Sequence, residues 1–567
     1  MKTHRYPSRS TQSIINPHNR SQVGHNELVN AIRSHWLPTA VGLALLFAIL
    51  LPLNLLGSQP FHHDEALYTT WGLEIASGND PWLAETPIDK PPLFLYTVAG
   101  AMWLLSPTES VARLPSLIAT VAGVGLTFWL GRKLYGNGVG LLAAWLVALS
   151  PFTILFAPTA FTDPLLVALV LAGCVAAISG RAGWAGMWLG LAFATKQQGF
   201  FFVPLALALV VIGGRSQVAS GKWRVADVTH QSAASLWDVS GRSLPVGRFT
   251  ATLLLTLLPL FLWDFFRQQA PGFWQLSLDN YGGLSSSFGS FPERWAGFAE
   301  LLQYATASPL LNLIFLSGLP LLLIYGVWQI RKHSDTTSQP TNHQTTQLPN
   351  VLSVATPYLF DWLFALFCLA FLLAHVWFSF QIWDRYLLGL IPFLALLLAR
   401  ILLLPWSIIR EKWLYDQPAL FSLGRATAAL ALGLLLALTL ARPVQDAVNA
   451  RYPLGSNSHA LQGIHQIVAY LQGQVGANHT LYHRWLGAHW RFYLWDYPYD
   501  LQYWQSAQAL ASKAQPGHLI AFPTWQSDTE VRLALAETGL TLHELIRAYS
   551  PLGHPSIILY RIETAEE

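Results

Sequence analysis

The sequence predicts a mainly α-helical, polytopic membrane protein of about eleven transmembrane helices, because apolar runs near the ~20 residues of a span recur along it. It adds interfacial helices in the first external loop and a small C-terminal α/β domain. Three observations predict this class. The chain is 53% hydrophobic and only 11% charged, against roughly 25% charged in an ordinary soluble domain. Apolar runs of membrane-spanning length recur from Leu37 to Leu440, and basic residues punctuate them at alternating ends. Beyond Arg442 the character changes to shorter apolar pieces rich in His, Trp, Tyr and Gln.

The first 36 residues form a polar tail carrying Lys2, Arg5, Arg9, Arg20 and Arg33, which the positive-inside rule places in the cytoplasm. No cleavable signal is expected, because the first apolar run, Leu37 to Leu56, is span-length and follows this tail. The run delivers Phe61-His62-His63-Asp64-Glu65-Ala66-Leu67-Tyr68 to the outer face. Leu67, Trp71 and Ile75 then recur at helical spacing, as on a helix lying in the interface. Leu93–Leu105 begins at a proline pair, is short for a span and reads as a second interfacial helix.

Val111–Leu130 returns the chain to Arg132-Lys133. Val139–Phe156 and Leu165–Ile178 form a hairpin with Asp163 at its outer tip. Trp184–Ile212 reads as two short helices broken at Lys196-Gln197-Gln198-Gly199. The first covers only about 18 Å at the helical rise, so its tip lines a cavity within the outer half of the bilayer. A basic loop (Arg215, Lys222, Arg224, Arg242, Arg248) precedes a span over Thr250–Phe266. An aromatic external loop, Arg267–Ser308, leads to Leu310–Ile330, and residues 331–356 read as a flexible cytoplasmic linker. Tyr358–Phe380, Leu387–Leu404 and Ala419–Leu440 complete the membrane part, with Trp383-Asp384-Arg385-Tyr386 at an outer turn. Cys174 and Cys368 fall inside apolar runs, where they pack between helices. Residues 442–567 are read as the external domain. Its strand-like pieces are Thr480–Tyr482, Leu519–Phe522 and Ser556–Tyr560, and a helix spans Thr529–Thr538.

Function is carried by charge at the outer edge. Ionisable groups beside a bilayer are costly and usually functional. Asp64, Glu65, Asp89, Lys90, Asp163, Lys196, Asp384 and Arg385 are far apart in sequence, yet all map there, while the spans hold almost no charge. Asp64 also suits an N-cap, and Thr162-Asp163-Pro164 reads as an N-cap followed by proline. A capped carboxylate is fixed in place and kept ionised, so capping and chemistry are compatible. Arg113 and Lys90 at span ends also have the look of snorkelling anchors. His62-His63 has the residue types of a metal site but no helical i, i+4 pairing. No metal site is therefore assigned, and a divalent cofactor has no support.

Together these pieces resemble a known family. Asp64-Glu65-x-x-Tyr68 and Lys90-Pro91-Pro92 with Tyr96 carry part of the likeness. The rest lies in Phe161-Thr162-Asp163-Pro164-Leu165, Ala194-Thr195-Lys196 and Arg385-Tyr386-Leu387 leading to Pro392. The set is similar to the ArnT-like and protein O-mannosyltransferase group (glycosyltransferase families 39 and 83) of the GT-C glycosyltransferases. The resemblance, over about residues 35 to 400, implies an enzyme that takes a sugar from a polyprenyl-phosphate donor and passes it to a hydroxyl acceptor: a glycolipid, glycan or protein. It implies Asp64 as catalytic base, expected to invert the anomeric carbon, with Glu65 and Asp163 beside it. Lys90, Lys196 and Arg385 would hold the donor phosphate, with Tyr68, Tyr96 and Tyr386 around the sugar. The external domain, with Trp485, His489 and Trp490, would cap the site or bind the acceptor. The chain departs from the aminoarabinose-transferring branch, with Leu67 in place of Arg before the tyrosine and Asp89 in place of Glu before Lys90. That branch's sugar, acceptor and metal site therefore do not carry over. The competing class is a lipid or glycolipid transporter, which would want mid-span charges and internal repeats. A non-catalytic lipid-sugar-binding subunit would tolerate loss of Asp64. An O-antigen-ligase-like transferase would favour arginines in large outer loops over this early Asp-Glu pair.

Overall fold

Seven helices are long and apolar enough to cross a membrane: α1 (His35–Leu55), α4 (Glu109–Tyr135), α10 (Pro245–Phe266), α13 (Pro309–Thr337), α14 (Leu348–Trp377), α15 (Ile391–Trp413) and α16 (Pro418–Val448). Shorter apolar helices accompany them: α3 (Leu93–Leu104), α5 (Asn137–Ala148), α7 (Asp163–Ile178) and α9 (Val203–Ala219) with its 3₁₀ entry Gln197–Phe202. The protein is a multi-pass membrane protein. The structure, a computed structural model, describes residues 35–219, 245–267, 272–280, 285, 288–337, 348–378, 380–413, 418–455, 461–474, 479–550 and 553–565. The basic tail before residue 35 and most of the 215–248 loop lie outside the described residues, as does the centre of the 331–356 linker. At the linker's two ends, α13 runs on through Thr337 and α14 starts at Leu348.

The run Val139–Phe156, read as one span, is two helices. α5 stops at Ala148, and α6 (Pro151–Phe156) begins with a proline in its first turn. Ser150 is extended (φ −67°, ψ 132°) because the ring of Pro151 disfavours helical geometry in the residue before it. The break at Lys196 falls where expected: α8 (Ala182–Thr195) ends, Lys196 is extended, and a 3₁₀ turn leads into α9. Both cysteines are buried and free.

α4 packs along α5 and α7, and α8 along α7 and α10. The α4–α5 crossing depends on backbone contact. A Cβ on Gly131 would stand 2.7 Å from Gly140 Cα, and one on Gly140 would stand 2.6 Å from the Phe128 carbonyl oxygen. Neither neighbour is a flexible side chain, so nothing can rotate away. Gly140→Ala is expected to destabilise the protein by about 1–3 kcal/mol, the usual cost of overpacking, seen as a lower thermal midpoint in detergent. The little charge that the spans hold includes one buried ion pair. Arg400 of α15 donates from Nε (3.0 Å) and Nη2 (2.8 Å) to the two oxygens of buried Asp361 on α14.

The C-terminal domain starts later than residue 442, because α16 continues to Val448. Its five strands are β1 (His479–His483), β2 (Tyr499–Tyr503), β3 (Leu519–Pro523), β4 (Leu540–Tyr549) and β5 (Pro555–Thr564). They lie in the order β2-β1-β3-β5-β4. β1 runs parallel to β2 and β3, while β5 is antiparallel to β3 and β4. Alternate residues face opposite sides. Leu481 and Leu519 join α17 (Ile464–Gly473) and α18 (Gly487–Tyr493) in one core. Tyr482 and Ile520 join α19 (Ala507–Ala511) and α20 (Thr529–Ala536) in the other.

Candidate functional site

The segment between α1 and α4 folds back over one end of the bundle. α2 (His63–Ser77) starts just before Asp64, and its N-cap is His62, not Asp64. His62 Nδ1 accepts from the Asp64 N–H (3.2 Å), and Glu65 Oε2 accepts from the His62 N–H (2.9 Å). This reciprocal capping leaves the Asp64 side chain at liberty. His62 is thus used as a cap, while His63 contacts aromatic rings.

Glu65 faces inward. It is fully buried, and both its oxygens accept from Arg113 (3.1 and 3.2 Å); Oε1 also accepts from the Ala160 N–H (2.6 Å). The sequence reading of Glu65 as catalytic is corrected on this geometry, because every acceptor direction is turned inward. Arg113 is likewise no snorkelling anchor. It is fully buried and also donates to the carbonyls of Leu56, Gln59 and Pro60. The Arg113–Glu65 pair pins the start of α2 to α4.

Asp64, Asp89, Lys90, Asp163, Lys196 and Arg385 come together as three ion pairs. Arg385 Nη1 donates to Asp64 Oδ2. Lys90 Nζ donates to Asp89 Oδ2 (2.6 Å) and Lys196 Nζ to Asp163 Oδ1 (2.6 Å). The pairs share one field: Lys90 and Arg385 act on Asp64, and Lys90, Arg385 and Asp163 act on Lys196. Asp64 and Lys90, some 26 positions apart in sequence, therefore belong to one charged cluster. Of the three carboxylates, Asp64 is the most accessible, with 26% of its side chain exposed against 12% for Asp89 and 2% for Asp163. Burial tends to raise the Asp64 carboxyl, but Arg385, then His62 and Lys90, outweigh it and hold the group below the usual carboxylate range. Burial pushes the Lys90 ammonium down, opposed by Asp89 and Asp64.

Each partner is held from behind. Thr162, not Asp163, occupies the N-cap of α7, with no side-chain capping bond, so Asp163 is spent on Lys196. The Arg385 guanidinium lies 3.7 Å from the Trp383 ring centre, and Asp384 accepts from the Arg385 N–H (2.7 Å) and the Gly455 N–H (2.8 Å). Lys196 Nζ stands 4.7 Å from the Tyr386 ring centre, and Lys90 Nζ 5.9 Å from that of Tyr68. Tyr68 and Tyr386 thus belong to the cluster.

Tyr96 does not. Its hydroxyl donates to the Pro81 carbonyl (3.0 Å), beside Trp263 and Arg267. These three fix the loop that presents Lys90: Trp263 donates to the Trp82 carbonyl, and Arg267 to those of Leu83 and Thr86. Asn280 and Gln197 complete the Lys90 surroundings, donating to the Asp89 carboxylate and carbonyl (both 2.9 Å). Asp89 Oδ1 is buried with no hydrogen-bond partner among the described residues. Sequence reasoning missed Asn280 and Arg267; they carry no local signal in the 267–308 loop.

The C-terminal domain seats on α2 through α18. His489 Nε2 lies 3.0 Å from the Phe61 carbonyl, and Thr70 donates to the Ala488 carbonyl (2.8 Å). Tyr493 donates to Glu109, and Phe492 packs on Phe61 at 4.9 Å between ring centres. Of the three residues expected to meet an acceptor, His489 is a buried tether and Trp490 lies in the domain's core. Trp485 packs against Trp504, Phe522 and Trp525. An apolar cavity of about 460 Å³ opens between α12 (Phe291–Leu302), α13, α14 and α15, lined by Phe298, Leu316, Leu394 and Leu398, with Gln303, Thr306 and Asn312 as its polar members.

The chain joins a bundle of long and short membrane helices, a charged segment between α1 and α4 and a small appended sheet domain, a fold of the GT-C type. Residues 89–229 match the family model described as dolichyl-phosphate-mannose-protein mannosyltransferase. The structure is similar to ArnT from Cupriavidus metallidurans bound to undecaprenyl phosphate (TM-score 0.55, 16% identity, covering 93% of this chain and 98% of that one). It is also similar to the same protein in the apo state (TM-score 0.53, 16% identity, 94% and 98% covered). The archaeal oligosaccharyltransferase AglB from Archaeoglobus fulgidus overlaps more loosely (TM-score 0.48, 12% identity, 93% and 74% covered). No curated protein matches the sequence significantly.

Proposed function

We propose that this protein is a glycosyltransferase that moves a sugar from a polyprenyl-phosphate donor to a hydroxyl acceptor at the outer face of the plasma membrane. In this reading the N-terminus is cytoplasmic and residues beyond α16 are external. The observation that carries it is the Asp64–Arg385 pair: an ionised, partly accessible carboxylate in one charged cluster with two further cations, Lys90 and Lys196.

The charge balance fits the chemistry. A polyprenyl-phosphate sugar is a phosphodiester with one negative charge. Breaking its sugar–oxygen bond leaves a phosphate monoester that gains charge as the sugar acquires oxocarbenium character. Three carboxylates and three cations cancel at rest, so the site does not repel the donor. As charge grows on the leaving phosphate, Lys90, Lys196 and Arg385 stabilise it; groups of this kind are each worth about 10²–10³ in rate. Asp64, on the opposite side of the sugar, accepts the proton of the attacking hydroxyl, and a single displacement inverts the anomeric carbon. Asp163 positions Lys196, and Glu65 with Arg113 positions α2. Tyr68 and Tyr386 border the sugar, while Tyr96 braces the Lys90 loop. The apolar cavity beside α15 suits the polyprenyl tail, as the undecaprenyl phosphate bound by the structural relative suggests.

The pH dependence follows from the two groups. Asp64 sits below its ordinary 3.8 and is therefore ionised, and active as a base, at all pH values above that. Lys90 sits below its ordinary 10.5, so the rate falls on the alkaline side before that value is reached. A rate that is flat from neutral pH down to about 5 is expected; an acid limb centred above about 6 would contradict the assignment of Asp64. The function itself is tested by mass spectrometry of envelope glycolipids and glycoproteins with and without this protein. A lost sugar together with an accumulated lipid-linked donor supports it, and no change in either removes it.

A further inference from the structure

The parallel part of the C-terminal sheet has a feature that the transfer site does not use. β1 lies between β2 and β3. The chain leaves β1 through α18, in the core of one face, and leaves β3 through α20, in the core of the other. The loops after β1 and β3 therefore diverge, opening a crevice at the carboxyl ends of these strands. That topological switch point is where open α/β sheets bind their ligands.

Each of the three parallel strands delivers a tryptophan just past its carboxyl end. His483 of β1 leads to Trp485, Tyr503 of β2 to Trp504, and Pro523 of β3 to Trp525. Trp485 and Trp525 meet across the switch point at 5.9 Å and 72°, and Trp504 adjoins Trp485 at 5.6 Å. Arg484 lies against both Trp485 (5.5 Å) and Trp504 (5.0 Å). Trp525 is 44% exposed on its turn, an unusual position for so large an apolar ring. Its other ring neighbour is His63, at 6.1 Å and 82°. His63 is adjacent to Asp64 in α2, so the aromatic row runs directly from the crevice to the proposed base.

We propose that this crevice is the acceptor subsite and that it binds a sugar ring, making the acceptor a glycan or glycolipid headgroup. This rests on the transferase reading of Asp64. Exposed indoles offer flat apolar faces to the C–H side of a pyranose and N–H groups to its hydroxyls. Exposed Trp525 and half-buried Trp485, with Arg484, suit a neutral or weakly acidic sugar, and buried Trp504 backs Trp485 from the domain's core. A peptide acceptor is the alternative outcome.

The test is saturation-transfer NMR on the full-length protein in detergent, with gluco-, manno- and N-acetylglucosamine hexasaccharides as probes and a Ser-Gly repeat peptide as competitor. At least one hexasaccharide is expected to bind. Trp525→Ala should weaken it by about tenfold, the size of a single aromatic contact, and Trp525→Phe should recover most of the loss. Because Trp525 is exposed, these variants keep the fold, which the thermal midpoint checks. Asp64→Asn should leave oligosaccharide binding intact while transfer is lost, so that failure of the base assignment and failure of the subsite are read separately. Binding by none of the three probes, binding indifferent to Trp525→Ala, or displacement by the peptide would overturn the proposal.

Discussion

Asp64→Asn is expected to lower sugar transfer by about 10²–10⁴-fold, the usual contribution of a positioned general base, in a protein that still folds and inserts. Asparagine keeps the shape of the side chain and can still accept from Arg385, so the cluster's geometry is preserved while the proton acceptor is gone. The capping of α2 is untouched, because it uses His62 and Glu65. Turnover of a polyprenyl-phosphate sugar in proteoliposomes measures the loss, with binding of the free polyprenyl phosphate as the control. Donor binding should remain near wild type, since Lys90 and Lys196 keep their partners. Wild-type turnover in a correctly inserted variant would remove Asp64 from this role.

Arg113→Met is expected to cost about 3–5 kcal/mol of stability, because it strands the Glu65 carboxylate in a site with no access to water. The effect is one of leaving a charge unpaired, not the net worth of the pair. The double variant Glu65→Gln with Arg113→Met should therefore recover much of the loss. Thermal unfolding in detergent reads both. The Glu65 partners also hold the 160 turn and the His62 amide, so the single variant should lower transfer as well, by loosening α2. A single variant as stable as wild type would show that the pair is not structural.

Much of the membrane part is legible in the sequence because span-length apolar runs and basic flanks are local signals. The charged cluster is legible too, since Asp64, Lys90, Asp163, Lys196 and Arg385 each sit at the end of such a run. What failed depended on the partner. Arg113 looks like a snorkelling residue because a span-end arginine has one appearance whether it faces lipid or a buried carboxylate. Glu65 looks catalytic beside Asp64, but neighbouring positions on a helix point about 100° apart, so Glu65 turns to buried Arg113 while Asp64 turns to Arg385 and stays partly accessible. Asp361 and Arg400 passed unnoticed, as each is a single charge near the end of a long run. β2 and β4 (Leu540–Tyr549) are obscured by the polar residues that alternate along them. The switch-point crevice is not readable at all before strand order is known, because pairing is non-local.

The most direct measurement follows the lipid product. In proteoliposomes supplied with a polyprenyl-phosphate hexose or pentose and envelope glycolipid acceptors, mass spectrometry should detect free polyprenyl monophosphate accumulating one for one with sugar-modified acceptor, and neither with Asp64→Asn. Donor carried across the bilayer with its sugar still attached, and no monophosphate released by the wild-type protein, would contradict the account and place this chain among transporters.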